Sequence, residues 1–413
     1  MKKLTFSSAF CALMLCLGFV CTSCSGSDPA IDLSSSESAN CYIVSEGGRY
    51  KFKAVKGNSS ESVGEVVSAS VLWESFGTDV APNIGDLIKS VSYKDGYIAF
   101  QTADTYKEGN AVIVAKDAEG TILWSWHIWL TDQPQGQEYF NNAGIMMDRS
   151  LGATSATPGD VGALGLLYQW GRKDPFLGSW TFPYDSPLEV KSTIIWPSPV
   201  NSTLSTGTIA YATANPTTFI TFNNVNYDWY YTGSYSTDNT RWTTSESTKS
   251  IYDPCPAGWR VPDGGSNGVW SKAKSSSSSL AATYDSTNEG INFSGTFGKA
   301  STIWYPSSGC RSWHDGGLCR VGSGGDYWSA SPRNSDACCM GFDCEDDGYF
   351  YPLGSDYRAN GYSVRCLQVI VICNILFPVF SQSYFPAYFI SGFFLGRPLL
   401  VSFLSIVCLF SIR

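Results

Sequence analysis

At 413 residues the chain exceeds the size at which a single hydrophobic core keeps growing, which predicts more than one domain. Its formal net charge of -9 and sequence pI of about 4.8 exclude the basic footprint that a phosphate backbone requires, and with it nucleic acid as a partner. Aromatic residues at 15%, 40 glycines and few runs of helix formers favour strands and ordered loops, while 14 cysteines against two histidines favour disulfides over imidazole metal sites or general-base chemistry.

The chain opens on Lys2 and Lys3, continues with an apolar run from Ala9 to Val20, and reaches small residues before Cys24, the order of a secretory signal. The stretch Cys21-Thr22-Ser23-Cys24-Ser25 resembles a bacterial lipobox, with Cys21 where Leu is usual. Two readings stay open. Either Cys24 is lipidated and becomes the first mature residue, anchoring the protein to the membrane, or cleavage occurs nearby and Cys24 is an ordinary residue. Both send the protein out of the cytoplasm, and the first predicts the outer membrane and the cell surface. Residues 25–39, rich in Ser, Asp and Glu without apolar periodicity, read as a flexible tether.

Residues 40–135 read as an immunoglobulin-like β-sandwich. Short apolar runs at Cys41–Val44, Tyr50–Phe52, Ser70–Trp73, Tyr97–Phe100, Ala111–Val114 and Ile122–Leu130 are separated by turn residues such as Glu46-Gly47-Gly48, Lys94-Asp95-Gly96, Lys107–Asn110 and Asp117–Gly120. In the last run, alternation places Trp124, Trp126 and Ile128 on one face and His127 with Trp129 on the other. Aromatic runs on strands are usually core and a single His usually a hydrogen-bonded structural residue, so no site is placed there.

The next segment carries blocks in a distinctive order: Met147-Asp148-Arg149-Ser150-Leu151-Gly152-Ala153-Thr154, Gly165-Leu166-Leu167-Tyr168-Gln169-Trp170-Gly171-Arg172 and Asp253-Pro254-Cys255-Pro256-Ala257-Gly258-Trp259-Arg260-Val261-Pro262. Trp304-Tyr305-Pro306-Ser307-Ser308-Gly309, Gly325-Asp326-Tyr327-Trp328-Ser329-Ala330-Ser331 and Arg358-Ala359-Asn360-Gly361-Tyr362-Ser363-Val364-Arg365-Cys366 follow. Together they make residues 136–368 resemble the Fibrobacter succinogenes major paralogous domain. That resemblance implies a C-type-lectin-like α+β fold on an exported, often lipid-anchored surface protein of the Bacteroidetes type, with display rather than catalysis as its role. The fold class expected for the whole is therefore mainly β with some α. Cys255 and Cys366, each in one of the matched blocks, are expected to pair in an oxidising compartment, closing a loop of about 110 residues and stabilising it by about 4 to 5 kcal/mol in the chain-entropy model. Independently of any family, the three prolines, Gly258 and Trp259 of the Cys-Pro block read as a structural corner. Cys310 and Cys319, bracketing a turn, are a second candidate pair, which departs from the family pattern.

Candidate sites are few. The acidic run Asp343, Glu345, Asp346 and Asp347 offers oxygen ligands for calcium, but it lacks EF-hand spacing and the sugar-binding triplets of C-type lectins, so a solvated loop is the competing reading and no cofactor is assigned. Cys339 and Cys344 share the spacing of the copper-binding pair in formylglycine-generating enzymes, while the residues around them do not match that family. Trp229, Tyr230 and Trp242, in a polar insertion between residues 180 and 250, together with Arg311, Trp313 and His314, are the candidate ligand-binding residues, because loop aromatics stack on sugars and peptides.

Residues 369–413 turn strongly apolar, with Arg397 and Arg413 as their only charges. A membrane span around Tyr384–Ile412 is interrupted by Pro386, Gly392, Gly396 and Pro398, which leaves a C-terminal anchor and a reading-frame artefact as alternatives. The function expected from all of this is adhesion or binding of a surface glycan or protein ligand by a lipid-anchored protein that is not an enzyme, with a place in a surface appendage as one form of it. The alternatives are a structural spacer or assembly protein, and a copper- or carboxylate-dependent enzyme.

Overall fold

The six apolar runs of the N-terminal third become strands and two more join them, giving β1 (Ile31–Asp32), β2 (Cys41–Val44), β3 (Arg49–Lys53), β4 (Ser68–Ser75), β5 (Ile88–Lys94), β6 (Tyr97–Thr102), β7 (Gly109–Lys116) and β8 (Ile122–Leu130). They form two four-stranded sheets, ordered β1-β3-β6-β5 and β2-β8-β7-β4, whose inner faces pack Tyr42, Phe52, Phe100, Trp126 and Ile128 into one core. The hairpin between β5 and β6 turns at Asp95 and Gly96, both at positive φ (51° and 80°), as a two-residue turn matching strand twist requires. This computed structural model describes residues 29–369 apart from 183–186, 236–237, 244–247, 274–282 and 345–348. The signal segment 1–24 with Cys24, the start of the tether, the residues from 370 onward, and Glu345, Asp346 and Asp347 of the acidic run lie outside the described residues.

The rest of the expected tether is not free. β1 joins β3 in parallel, Ile31 opposite Tyr50, and Ala39 is buried, its N–H donating to the Tyr42 hydroxyl at 3.2 Å. Asp32 accepts from both the N–H and the hydroxyl of Ser34, and Gly258 donates to Glu37 at 3.0 Å. The polar residues that suggest a tether act instead as hydrogen-bond partners, Asp32 for its neighbour Ser34 and Glu37 for the backbone of the distant Gly258.

The remaining strands among the described residues are β9 (Gly136–Tyr139), β10 (Gly144–Met147), β11 (Leu167–Gln169), β12 (Val200–Asn201), β13 (Ile220–Thr221), β14 (Trp259–Arg260), β15 (Thr283–Asp285), β16 (Gly290–Asn292) and β17 (Trp304–Pro306). They continue with β18 (Cys310–Arg311), β19 (Leu318–Cys319), β20 (Gly324–Arg333), β21 (Asp336–Asp343), β22 (Tyr349–Asp356), β23 (Gly361–Ser363) and β24 (Leu367–Gln368). Among the described residues two short α-helices, α1 (Ile209–Ala214) and α2 (Val269–Ala273), complete a fold that is mainly β with some α. The largest sheet runs β19-β18-β23-β20-β21-β22, with β11 beside β23. Its edge strand β22 carries Pro352, which cannot donate to a further strand.

No division falls near residue 135. The sheet β2-β8-β7-β4 is buried on both faces: while Trp124, Trp126 and Ile128 enter the sandwich core, Cys41, Trp73, Val112, Val114 and Trp129 share a second core with Met147, Leu151, Tyr168, Trp170, Trp328 and Val364. The segment 191–193 then runs beside β4, with Thr193 N–H donating to Glu74 O at 3.0 Å and Lys191 N–H to Thr78 O at 2.9 Å. An edge that solvent would otherwise meet is thereby covered from within the chain.

Both expected disulfides form, Cys255–Cys366 and Cys310–Cys319. The Cys-Pro block is a corner held by Asp253, whose two carboxylate oxygens accept from Cys255 N–H at 2.8 Å and Val261 N–H at 2.9 Å. In the final block Val364 enters the shared core, Cys366 is the disulfide partner, and the Arg365 guanidinium lies 3.7 Å over the Tyr305 ring.

Candidate functional site

Three loops converge beside β18 and β23. The first, after β13, is shaped by Asn223: its side-chain oxygen accepts from the N–H groups of Val225 (2.8 Å) and Asn226 (3.1 Å), and its amide donates to Asn226 Oδ1 (2.7 Å) and Asp228 O (3.1 Å). This coil puts Tyr227 at φ 54°, a left-handed backbone that an aromatic residue occupies only under constraint. The second loop is the turn between β18 and β19, bracketed by the Cys310–Cys319 disulfide. It closes at Gly316 (φ 73°), where an added Cβ would stand 2.9 Å from Pro199 and 3.0 Å from Phe219. The third, residues 357–360, joins β22 to β23.

Hydrogen bonds lace the three together. Phe222 N–H donates to Trp313 O (3.1 Å), Trp313 N–H to Asn360 Oδ1 (2.9 Å), and Ala359 N–H to Tyr227 O (3.3 Å). Trp313 is the hub of the rings they carry, lying steeply crosswise to Phe222 (4.4 Å between centroids), Tyr357 (5.2 Å), Tyr227 (5.5 Å) and His314 (5.6 Å). Around it, His314 stacks with Phe222, Phe222 with Tyr227, and Tyr227 with Tyr357 at 4.5 Å. Tyr227 and His314 are exposed and the other three rings half-buried. Among the described residues nothing pairs with Trp313 Nε1, the Tyr227 and Tyr357 hydroxyls or the His314 ring nitrogens. The result is a rigid apolar surface with unused polar groups at its rim.

Of the candidate ligand-binding residues, Trp313 and His314 therefore come together, and the others do not join them. Trp229 and Trp242, expected as exposed loop aromatics, are buried, their N–H groups donating to Trp170 O (2.8 Å) and Arg172 O (3.0 Å). The polar insertion folds back on itself, and its Arg241 guanidinium, paired with Asp228, lies 4.9 Å over both Trp170 and Trp229. Tyr230 packs over the same guanidinium at 5.2 Å. Arg311 is a buried staple, donating to Leu177 O (2.9 Å) and Gly316 O (2.7 Å) and paired with Glu189 at 2.8 Å, so it shapes the turn instead of facing a ligand. Tyr227, Phe222 and Tyr357 are the members that sequence reasoning missed. Only the asparagine-rich run Asn223–Asn226 beside Tyr227 signalled a built loop there.

The cation and enzyme candidates fare differently. Asp343 pairs with Arg320 at 2.9 Å, an arrangement that already neutralises the one member of the acidic run among the described residues. Cys339 and Cys344 lie five positions apart along an extended run, roughly 16 Å at the rise of a strand, too far to share one ion. Burial pushes both thiols up.

A nucleophile, base and orienter do line up at the junction: Cys41 Sγ lies 3.4 Å from His127 Nδ1, and His127 Nε2 lies 2.9 Å from Asn110 Oδ1. Hydrolysis by a thiol nucleophile needs a thiolate and access, and burial works against both. None of the three is more than 2% exposed, burial drives the Cys41 thiol up, and it holds His127 down to about 3. With Asn110 donating to Gly152 O at 2.9 Å, the chain of bonds ties the sandwich to the rest of the molecule. Compared with known proteins, the sequence and fold match no family model, no curated protein and no solved structure.

Proposed function

We propose that this chain is an exported cell-surface lipoprotein anchored through Cys24, whose C-terminal half, resembling the major paralogous domain and C-type lectins, binds a surface ligand in adhesion. The observation that carries the reading is the Trp313 hub: five aromatic rings on three interlocked loops, with unengaged polar atoms at the rim. A pre-ordered surface loses little conformational freedom on binding, and amphipathic rings of this kind dominate recognition sites. The two disulfides agree with an oxidising compartment.

The test is a glycan and host-protein array probed with the oxidised mature protein, with and without calcium, beside Trp313→Leu. Saturable binding that the substitution abolishes, in protein whose circular dichroism is unchanged, is the expected result. Silence across the array from folded protein would sink the reading. It would favour a rigid spacer instead, to which the core shared between the two halves lends support.

A further inference from the structure

Taking the hub as the binding site, we infer that its ligand is a neutral glycan, held without calcium. Charge comes first. Two arginines border the rings, Arg311 at the end of β18 and Arg358 in the third loop, and both are committed in the interior. Arg311 is held by Glu189 and two carbonyls, while Arg358, fully buried, donates to Asp336 O, Asp238 O, Asn334 O and Asn239 Oδ1. Among the described residues an acidic sugar would find no free guanidinium or ammonium there, and it would face exposed Asp315 on a chain of net charge -9.

A quaternary ammonium is disfavoured by shape. It needs rings arranged around an empty centre, whereas these rings fill the space between one another, with centroids 4.4 to 5.6 Å from Trp313. What the hub does present is apolar ring surface alternating with N–H, O–H and imidazole groups that lack partners among the described residues. A pyranose has the same alternation, with an apolar C–H face rimmed by hydroxyls that both donate and accept.

Against calcium stands the way the carboxylates near the hub are spent among the described residues. Asp356 accepts from Asn360 Nδ2 (3.0 Å), the Tyr362 hydroxyl (2.6 Å) and Tyr357 N–H (2.7 Å), and Asp228 is paired with Arg241 in the interior. Asp315 is left as a single exposed carboxylate, one oxygen of which takes Gly317 N–H at 2.9 Å. A calcium ion requires about six to eight oxygens, well beyond what the hub has free.

The experiment titrates the full oxidised chain in detergent with two neutral probes, cellohexaose and mannan, and two acidic ones, 3′-sialyllactose and polygalacturonate. Each titration is run with calcium, with chelator, and in about 0.5 M NaCl, where exposed charge pairs are largely screened. Saturable binding of a neutral probe, insensitive to chelator and salt, is the expected result. Tyr227→Asn and His314→Ala should each weaken it about tenfold or more. Asn suits the left-handed backbone at 227 and His314 is exposed, so both variants should keep the fold, which unchanged circular dichroism of each checks. A preference for the acidic probes, or loss of binding in chelator, overturns the inference. A protein ligand whose binding falls in both variants, with all four sugars silent, overturns the sugar class and leaves the hub as the site. Glycan binding undiminished in both variants overturns the hub itself.

Discussion

Asp228 holds two guanidiniums where no water reaches. Its carboxylate pairs with Arg241 and stands 3.8 Å from Arg358, and all three side chains are 0% exposed. Removing one partner of a buried pair leaves uncompensated charge, so Asp228→Asn should cost about 3 to 5 kcal/mol in urea unfolding, while Asp95→Asn, exposed in a turn, should cost almost nothing. Two other buried groups make stability depend on pH in opposite senses. His127 is held down to about 3 from 6.5 by burial, so the unfolded chain takes up a proton that the folded chain refuses. Stability is then lost as pH falls from about 6.5 towards 3, by at most about 5 kcal/mol. Asp326 is raised from 3.8 to about 7 by burial, with Asp356 and Asp343 adding to the rise against Arg320. Here the folded chain keeps a proton that the unfolded chain releases, and stability is lost as pH rises from about 4 to 7, by about 4 kcal/mol. Denaturant midpoints measured across pH should lose their acid-side slope in His127→Gln and their slope between pH 4 and 7 in Asp326→Asn.

Among the elements, the turn between β18 and β19 shows how a short loop is given a fixed shape. The disulfide brackets it, Gly316 allows its close approach to Phe219, and Arg311 ties its tip to Leu177 and Glu189. The two disulfides should differ in weight. Cys255–Cys366 closes a separation of 111 residues and Cys310–Cys319 one of 9, which in the chain-entropy model corresponds to about 5 and about 3 kcal/mol. Replacing both cysteines of a pair by Ser should reproduce that order in equilibrium unfolding. The short bridge should nevertheless have the larger effect on ligand binding, since it holds the Trp313 turn. Equal losses of affinity from both pairs would argue that neither acts through the hub.

On the scale of the molecule, the sheet β2-β8-β7-β4 belongs to two cores at once. Cutting the chain after residue 135 would expose Cys41, Trp73, Val112, Val114 and Trp129 on one piece and Met147, Leu151, Tyr168 and Trp328 on the other. Burial of each large apolar side chain contributes about 1.5 to 3 kcal/mol, so the two pieces together lose more than a marginal domain can spare. Calorimetry of the intact protein should show one cooperative transition, and the isolated fragment 136–368 none. Two resolved transitions in the intact chain would mean that the shared core contributes little.

Where local chemistry decides, the sequence was sufficient. Alternation and turn residues located β2, β3, β4, β6, β7 and β8, because a strand with one face in a core needs period two and a tight hairpin needs residues such as Asp95 and Gly96. The family resemblance pointed to Cys255–Cys366, the bracketed turn to Cys310–Cys319, and the prolines with Gly258 and Trp259 marked the corner around β14. Where the outcome depends on what packs against a surface, the sequence was silent. The alternation in β8 separates Trp126 from Trp129, but only the tertiary structure decides that both faces are buried, since a second core looks like a solvent face until its partner arrives. The insertion between residues 180 and 250 is polar enough to read as loop, yet the pairing of Arg241 with Asp228 lets it bury Trp229 and Trp242. Tyr227, Trp313 and Tyr357 lie far apart in the chain and become one surface through hydrogen bonds among three loops, a proximity that no local pattern encodes.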